Sequence, residues 1–377
     1  MKLSPEQDAA AKAVSDWLKT PSKTLGQQVF RLFGFAGTGK TMLARHIAEA
    51  IDGDVLFAAF TGKAAQVMRS RGCEGARTIH SLIYRPRGEE TVEDEETGKT
   101  TVNPTFSLNR TSPVSKAKLV IVDECSMVDE ALGRDLLSFG APVLVLGDPG
   151  QLPPISGGGF FTDHEPDALL TEVHRQARDN PIIQLAQTVR EGGRLEHGRY
   201  GDSRVIGRGD IDSDQVLAAD QVLLGINRTR RRYNRRIREL KGFEGLLPAS
   251  GDKLVCLRNN NEKGLLNGSL WQVMSVGRGK AQALSMIVKA DDDGPYGDIV
   301  KIRVLKALFE SAEEVPWTQR RNSDEFDYGY ALTVHKAQGS QWNDVLLFDE
   351  SFAFKDTRER WLYTAITRAA ERITIVN

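Results

Sequence analysis

Eight consecutive residues, 34–41, have the types and spacing of a phosphate-binding loop. They are Gly-Phe-Ala-Gly-Thr-Gly-Lys-Thr and match the pattern G-x-x-x-x-G-K-[ST] at every position. The glycines allow successive backbone N–H groups to turn toward phosphate oxygens, and a helix that starts at the loop adds partial positive charge. The lysine can neutralise the β- and γ-phosphates of a nucleotide, and the last threonine can hold Mg²⁺ through its hydroxyl. The predicted nucleotide-contacting residues are Gly37, Thr38, Gly39, Lys40 and Thr41.

Two adjacent acids supply the second half of such a site. Asp123 and Glu124 directly follow the apolar run 119–122, which predicts a buried parallel strand. Ligands of open α/β sheets bind beyond the carboxyl ends of the strands, so both acids should lie at that edge. Asp123 is placed to hold Mg²⁺, together with Thr41, and Glu124 to deprotonate an attacking water. This pairing favours nucleotide hydrolysis over phosphate transfer to another substrate.

Strand-helix units surround these residues. The segments 29–33, 54–60, 119–122 and 142–146 are apolar and predict strands. Helical patterns follow at 42–51 and from residue 61 onward. Such repeated units predict a parallel sheet that is covered on both faces.

The composition limits the class of protein. The 377 residues have a formal net charge of −1, which excludes a uniformly basic protein, so a nucleic-acid contact would need a local groove. The three cysteines, Cys73, Cys125 and Cys256, are scattered and predict free thiols in a reducing cytosol. No stretch approaches roughly 18 uninterrupted apolar residues, and the N-terminus has no apolar signal region. We therefore expect a cytoplasmic protein without a membrane span.

Three segments allow two interpretations each. The basic run 227–238 predicts a helix with Thr229 near its cap, and its arginines form either a solvated face or a contact for a polyanion. The acidic stretch 84–113 is either a projecting hairpin or a disordered loop. A helix over 5–18 begins with Ser4 as a cap, where Gln7 fits the third position of a capping box. Gln7 could also contact a ligand.

The region 245–324 has short alternating segments separated by turn residues such as Asn-Gly. This pattern predicts a small β-barrel-like module. It lies between the strand-like segment 221–226 and the α/β pattern of 326–377. The module is therefore expected to be inserted into a second α/β domain.

With these motifs in order, the chain resembles superfamily 1 nucleic-acid helicases of the B subgroup, the RecD-like and Dda-like enzymes of bacteria and phages. The ordered set spans nearly the whole chain and is specific, although each motif outside the P-loop is modest evidence by itself. The matching segments are Gln7, 34–41, 61–63, 78–80, 123–127, 147–154, 174–176, 333–340 and 364–368.

The resemblance implies two RecA-like domains with ATP between them. Gln7 would contact adenine, Gln151 would sense the γ-phosphate, and Gly339 would belong to the nucleotide site. Arg175 and Arg368 would reach across the cleft, where a guanidinium stabilises charge on the transferred phosphoryl oxygens. The residues that match the family's contacts to single-stranded DNA are Thr61, Gly62, Lys63, Thr78, His80, Thr333, His335 and Lys336.

The expected fold is α/β, with two RecA-like parallel-sheet domains of the P-loop NTPase class. We expect a first domain over 1–165 and a second over 166–244 and 325–377. A hairpin at 85–112 would be the family's strand-separating pin, and 245–324 would be its SH3-like module. Phe106 is the candidate to stack on a base at the fork, with a packed core phenylalanine as the equal alternative. The acidic composition of the hairpin departs from the family, because it would repel a duplex backbone.

The implied function is an ATP-dependent DNA helicase that translocates 5′ to 3′ on single-stranded DNA and unwinds duplexes. The alternatives are a translocase that strips proteins and unwinds weakly, an ATP-gated loading or recombination mediator, and an RNA-directed helicase. ATP and Mg²⁺ are the expected cofactors. The expected partners are single-stranded and fork DNA, a single-strand binding protein, and replication or recombination proteins. We expect a monomer of the compact, phage type, in a bacterial or phage-infected cytoplasm, without the long N-terminal extension of larger RecD relatives.

Overall fold

A computed structural model describes most of the chain. The described residues are 3–20, 27–93, 100–153, 159–173, 179–260, 263–277, 282–291, 299–311 and 315–377. For 86–93 and 100–106 only the backbone is described.

The first unit, defined here as residues 3–173 without their two-stranded hairpin, is built on a six-stranded parallel sheet. Its strand order is β3-β2-β6-β7-β1-β8. The central strands β6 and β7 are almost entirely buried, as their uninterrupted apolar sequences predict. The parallel sheet is therefore confirmed for this unit. The strands are β1 (Val29–Gly34), β2 (Val55–Ala59), β3 (Arg77–Thr78), β4 (Tyr84–Glu93), β5 (Thr100–Leu108), β6 (Leu119–Asp123), β7 (Val143–Gly147) and β8 (Ala168–Leu170).

Polar caps start the helices of the first unit where the sequence provides them. The side chains of Ser4, Thr61, Thr78 and Asp129 each accept a backbone N–H of the first turn. The helix that follows the P-loop instead begins at Gly39 without a side-chain cap. The helices are α1 (Pro5–Lys19), α2 (Lys40–Glu49), α3 (Gly62–Ser70), α4 (Ile79–Ile83) and α5 (Glu130–Leu137).

Strands β4 and β5 form an antiparallel hairpin, so the described part of this segment is a hairpin and not a disordered loop. The pairing starts at Tyr84 and Leu108, and it has an irregularity between Pro86 and Gly88. The Tyr84 hydroxyl donates to Asp135 of helix α5 over 2.5 Å, which fixes the base of the hairpin to the first unit. The predicted turn at 97–98 lies outside the described residues.

The second unit, defined here as residues 179–240 and 331–377, contains a second six-stranded sheet. Its order is β17-β11-β18-β19-β10-β9, and all its pairs are parallel except β9 with β10. The strands of the rest of the chain are β9 (Gly198–Tyr200), β10 (Ser203–Ile206), β11 (Gln221–Leu224), β12 (Lys253–Cys256), β13 (Leu270–Gly277), β14 (Ala283–Ala290), β15 (Ile299–Leu305), β16 (Phe326–Tyr328), β17 (Ala331–Thr333), β18 (Trp342–Phe348) and β19 (Ala369–Val376).

In the second half of the chain, α6 and α11 contact strand β19 of that sheet, and α8 contacts β17 and β11. Helices α6 and α11 below pack against each other on one side. They are α6 (Pro181–Arg190), α7 (Ser213–Ala218), α8 (Asn227–Leu240), α9 (Ala307–Glu310), α10 (Trp317–Arg320) and α11 (Arg358–Ile366).

The β module, defined here as strands β12 to β16, is an antiparallel five-stranded sheet in the order β15-β14-β13-β12-β16. Trp271, Val288 and Phe326 are buried in its core. This separate antiparallel sheet agrees with the expected β-rich segment, while its role as an inserted module and its SH3-like character stay predictions.

Two expected boundaries differ from the structure. Strand β8 pairs with β1, so the first sheet continues to Leu170, past the expected limit at 165. Strand β16 pairs with β12, so the module's sheet extends past 324. Helix α8 begins at Asn227 after Ile226, so Thr229 lies in its first turn, close to the cap as expected. The ends of both sheets depend on pairing with strands that are distant in the chain, and local residue preferences do not reveal such pairing.

No helix in the described ranges has the length and apolar character needed to cross a membrane.

Candidate nucleotide site and nucleic-acid interface

The P-loop connects the end of β1 to the start of α2, as the motif requires. Gly37 and Gly39 have φ angles of 80° and 78°, a left-handed conformation that favours glycine. A side chain at Gly34 would come within 2.7 Å of the Thr38 hydroxyl and 2.8 Å of Leu170. Each of these glycines is therefore required by backbone geometry or by space.

Lys40 occupies the first turn of α2, and its ammonium group turns back onto the loop. It donates to the carbonyl oxygens of Gly34 at 2.6 Å and Phe35 at 3.1 Å. It also lies 4.0 Å from the Asp148 carboxylate. The positive charge is thus held at the mouth of the loop.

The predicted metal-binding pair is assembled. The Thr41 hydroxyl donates to Oδ2 of Asp123 over 3.1 Å. The other oxygen, Oδ1, accepts the N–H of Glu124 over 2.8 Å. A hydroxyl and a carboxylate are the hard oxygen ligands that Mg²⁺ prefers. The donor set therefore fits Mg²⁺ with a bound nucleotide.

Glu124 has a φ of 52°, which makes it the one non-glycine residue with positive φ in the described ranges. This conformation is uncommon outside glycine, and such strain often occurs at functional sites. Burial raises the pKa of Glu124, and the positive charge of Arg368 opposes this increase. A carboxyl with a raised pKa suits the proton acceptor role predicted for it.

Two polar side chains follow strand β7. Asp148 is 6% exposed, and its Oδ1 accepts the N–H of Gly150 over 2.9 Å. The side-chain oxygen of Gln151 is buried and has no hydrogen-bond partner in the described part of the chain. Because a buried polar group without a partner is costly, Gln151 fits a ligand-sensing position.

Arg368 comes from the second unit and is 5% exposed. It directly follows α11, which ends at Ile366. Its guanidinium donates to the carbonyls of Thr364 at 3.1 Å and Ser340 at 3.3 Å, and to the Thr367 hydroxyl at 3.2 Å. Its charge still acts on Glu124 of the first unit. Arg175, the other predicted cross-cleft arginine, lies outside the described residues.

Gln7 was expected either to cap α1 or to contact a ligand, and its position is compatible with both. The capping box with Ser4 is present in full. The Gln7 amide nitrogen also donates to the Thr38 carbonyl of the P-loop over 3.0 Å, and the side chain is buried. The capping role is confirmed, and the position beside the loop is compatible with the adenine contact, which stays a prediction.

The predicted strand-contacting residues of the first unit lie at helix starts. The hydroxyls of Thr61 and Thr78 cap α3 and α4 by accepting N–H groups at 3.1 Å and 3.2 Å. The His80 ring lies 5.4 Å from that of Tyr84, and partial burial of the ring lowers the pKa of His80, which favours its neutral form at neutral pH. Capping is therefore shown for the threonines, and their contact with a strand stays a prediction.

The corresponding residues of the second unit follow β17. Thr333 is buried, and its hydroxyl accepts the N–H of Lys336 over 3.4 Å. His335 packs against the ring of Phe354 with centroids 5.4 Å apart, and burial lowers its pKa. Lys336 is exposed.

These two sets of residues meet at one place. A side chain at Gly339 would lie 3.2 Å from the Thr61 hydroxyl and 3.0 Å from Ala64. The Arg71 guanidinium donates to the Gln341 side chain over 3.0 Å. The segments 61–71 and 333–341, here called the candidate strand track, therefore face each other. Gly339 lies in this track, and its predicted contact with nucleotide remains untested.

The β module also reaches the track. A side chain at Gly62 would lie 2.7 Å from Leu266, and Gly268 lies beside Lys63. Burial lowers the pKa of Lys63 to about 8, while the charge of Asp291 in the module opposes this shift. Phe106 of the hairpin has no described side chain, so its predicted stacking role lies outside the described part of the structure.

Helix α8 divides its arginines between two environments. Arg230 and Arg238 are buried and pair with Asp327 at 2.8 Å and Asp252 at 2.9 Å. The sequence run did not reveal this division, although the two buried positions are eight residues apart on one helical face. Contact of the exposed face with a polyanion remains a prediction. The exposed arginines are Arg228, Arg231, Arg232, Arg235 and Arg236.

Two family models match different parts of the chain. A family model described as an AAA domain matches residues 2–210, which is more than half of the chain. The chain belongs to this family. A second model, the UvrD-like helicase C-terminal domain, matches residues 328–376. Together with the relatives below, these matches confirm the resemblance to superfamily 1B helicases of the RecD and Dda type.

Three curated relatives support this placement. The ATP-dependent RecD2 DNA helicase of Deinococcus radiodurans is 30% identical over 382 residues, covering 92% of this chain and 46% of the relative. The ATP-dependent DNA helicase dda of phage T4 is 33% identical over 175 residues, covering 42% and 37%. The RecBCD enzyme subunit RecD of Mycobacterium tuberculosis is 26% identical over 411 residues, covering 93% and 67%. The chain thus spans about half the length of the RecD2 relative.

Two solved structures show the fold. Pif1 helicase from Bacteroides in complex with ADP-AlF3 and ssDNA is 18% identical, with a TM-score of 0.58 and coverage of 99% of this chain and 92% of that one. A structure of two coordinating Pif1 helicases at forked dsDNA is 19% identical, with a TM-score of 0.58 and the same coverage. The overall arrangement of the chain is therefore that of a Pif1-like helicase fold.

Proposed function

We propose that this protein is an ATP-dependent DNA helicase that moves along single-stranded DNA and separates duplex strands. One segment supports this proposal above all others, residues 338–341 of the second unit. Gln338 donates to the Leu152 carbonyl, next to the predicted phosphate sensor, over 3.3 Å. Gly339 lies against Thr61 of the candidate strand track, and the Ser340 carbonyl accepts Arg368. The same four residues thus contact both the nucleotide side and the strand side.

The chemistry follows from residues already in contact. Lys40 is available to bind phosphate oxygens, and Thr41 with Asp123 is available to hold Mg²⁺. Glu124 would take a proton from the attacking water, and Gln151 would orient groups at the γ-phosphate. Arg368, with Arg175, would stabilise the charge that spreads over the phosphoryl oxygens. When bound, Mg²⁺ with ATP supplies the activated phosphoryl group, and Gln7 would contact the adenine.

Movement along the strand requires that nucleotide state and strand grip depend on each other. The two units would close around ATP and reopen after hydrolysis. Because 338–341 contacts both sites, this motion would alternate the grip of residues 61–63 and 333–336 on the phosphates. Contacts to phosphates position a strand without reading its sequence, so the strand can slide.

Several further assignments belong to this proposal. We assign a first RecA-like domain with hairpin 85–112 as the strand-separating pin, a second RecA-like domain, and the β module as the SH3-like insertion. Helix α10 of the β module contacts strand β5, which supports a rigid hairpin. The proposed partners are single-stranded and fork DNA, a single-strand binding protein, and replication or recombination proteins. The proposed state is a monomer.

The relatives named RecD2 and dda are described as ATP-dependent DNA helicases, and this supports the same activity here. The proposed direction, 5′ to 3′, rests on the resemblance to the B subgroup. Duplexes with one 5′ or one 3′ single-stranded tail test both points. Strand separation of the 5′-tailed duplex alone, dependent on ATP, is the expected result, and separation of the 3′-tailed duplex alone would contradict the direction.

Measurements of ATP binding and ATP turnover, made beside the unwinding assay, separate the alternatives. ATP turnover that rises with single-stranded DNA but gives no strand separation would indicate a translocase. ATP binding without turnover would indicate a nucleotide-gated mediator. Stimulation by RNA of matched sequence, but not by DNA, would indicate an RNA-directed helicase.

A further inference from the structure

Two side chains of the second unit contact the first half of the P-loop, where neither was expected. The Tyr363 hydroxyl of α11 accepts the backbone N–H of Ala36 over 2.8 Å. The Arg190 guanidinium, at the end of α6, lies 3.8 Å from the centroid of the Phe35 ring. Because α6 and α11 pack together, these contacts form one support, called here the P-loop clamp.

The Tyr363 hydroxyl has a second role in the same place. It donates to Oδ2 of Asp148 over 2.9 Å. That same oxygen lies 4.0 Å from the Lys40 ammonium. Tyr363 is 2% exposed and Asp148 is 6% exposed, so water does not readily replace either partner. Burial, followed by the charge of Asp148, raises the pKa of Tyr363, so the hydroxyl keeps its proton and remains the donor.

This arrangement affects how Lys40 meets a phosphate. The lysine must keep its ammonium available at the loop, yet a buried carboxylate next to it is a strong competing partner. The hydrogen bond from Tyr363 to Oδ2 partly stabilises the negative charge of Asp148. The Lys40 ammonium therefore stays on the carbonyls of Gly34 and Phe35. Without that hydroxyl, Asp148 would attract Lys40 more strongly, and the N–H of Ala36 would lose its partner.

We propose that Tyr363 is a positioning residue of the nucleotide site, which fixes the P-loop at Ala36 and keeps Asp148 from capturing Lys40. Arg190 supports the same loop through Phe35. The inference rests on the proposed function only in treating the loop as an ATP site. It requires neither DNA nor turnover, so it can succeed or fail independently of helicase activity.

The test uses Tyr363→Phe, which removes one oxygen and keeps the ring. The matched control is Tyr330→Phe, because Tyr330 is also buried and also donates to a buried carboxylate, Asp252, over 2.9 Å. The measurement is the affinity for a fluorescent, non-hydrolysable ATP analogue with Mg²⁺ and without DNA. Leaving buried polar groups without partners predicts a loss of roughly tenfold for Tyr363→Phe. The control should remain within about twofold of the wild type.

A second substitution separates this positioning role from a general loss of stability. Asp148→Asn, added to Tyr363→Phe, removes the charge that would capture Lys40 and should restore the part of the affinity that this capture costs, while the Ala36 N–H stays without its partner. Thermal unfolding of each variant is measured in parallel. Wild-type affinity in Tyr363→Phe, or a loss that Asp148→Asn does not restore, would overturn the proposal.

Should Tyr363→Phe fail to fold, Arg190→Met tests the clamp from its other side. This change keeps an apolar stem over Phe35 and removes the cation. The exposed Arg194→Met is its control. A severalfold loss of analogue affinity in Arg190→Met alone supports the clamp, and equal affinities in the two variants contradict it.

Discussion

The hydroxyl of Thr41 and the carboxylate of Asp123 lie 3.1 Å apart, although 82 positions separate them in the chain. This contact joins the first turn of α2 to the end of β6, at the edge where ligands of parallel sheets bind. The next residue, Glu124, turns into a left-handed conformation directly after it. The proposed metal ligand Asp123 and the proposed base Glu124 are therefore positioned by one short stretch of backbone.

Substitution of Lys40 and of Glu124 should separate nucleotide binding from hydrolysis. Lys40→Ala removes the phosphate-binding cation and should lose both ATP affinity and turnover. Glu124→Gln keeps the size and the hydrogen-bonding capacity of the side chain but removes the proton acceptor. It should bind ATP with affinity near that of the wild type and lose turnover by about 100-fold or more. Analogue binding and phosphate release are the two measurements.

The exposed Lys19→Ala serves as a control for removal of a lysine, because Lys19 forms an exposed ion pair with Asp16 on the surface of α1. It should retain wild-type binding and turnover. Turnover near the wild-type rate in Glu124→Gln would show that another group accepts the proton.

Arg368→Ala should reduce DNA-stimulated ATP turnover while single-strand binding survives. Arginines that reach a transferred phosphoryl group are worth about 10³–10⁵ in rate. The control is Arg372→Ala, since Arg372 lies nearby on β19 and forms an exposed ion pair with Asp344. A loss smaller than tenfold would assign Arg368 a structural role through its bonds to Thr364 and Ser340.

Much of this site could be predicted from the sequence, because each half of it, the P-loop and the acid pair, is a pattern of residues that are close together in the chain. The P-loop and the acid pair are local patterns, and hydrophobic periodicity predicted the strands that position them. The capping role of Gln7 followed from its spacing to Ser4. These features need no knowledge of long-range packing.

The contacts between the units could not be predicted in this way. Tyr363 is 327 positions from Ala36, and no local pattern relates the two residues. The run of arginines in α8 did not show that Arg230 and Arg238 would be buried, because their acidic partners lie in other elements. Strand β8 was missed for the same reason. Its three residues are too few to predict a strand by themselves, and they form one because they pair with β1.

Affinity for single-stranded DNA should fall as pH rises through about 8, because burial lowers the pKa of Lys63 to about 8. A nearby phosphate favours the charged lysine, so binding above this pH must take up a proton. For one proton the limiting decrease is about tenfold per pH unit. The measurement is the dissociation constant of oligo-dT at constant ionic strength between about pH 7 and pH 9.

Lys63→Arg provides the control for the pH effect, because an arginine stays charged throughout this range. Its affinity should be nearly independent of pH. Lys63→Ala should bind weakly at every pH and show a smaller dependence on salt, with the slope reduced by about 0.7 for one lost phosphate contact on a single strand. Equal pH profiles for the wild type and Lys63→Arg would exclude Lys63 as the titrating group.

Replacement of the hairpin should separate strand separation from movement. A short Gly-Ser linker in place of residues 87–106 keeps Tyr84, whose bond to Asp135 fixes the hairpin base to the first unit. DNA-stimulated ATP turnover should stay within a few-fold of the wild type, because the nucleotide site and the track lie outside the removed residues. Unwinding of the tailed duplex should be lost, since no rigid element would remain at the fork. Tyr84→Phe, with the hairpin intact, measures the role of the anchor alone. If unwinding persists without the hairpin, the strand-separating element lies elsewhere; if turnover also collapses, the hairpin supports the fold or the strand grip.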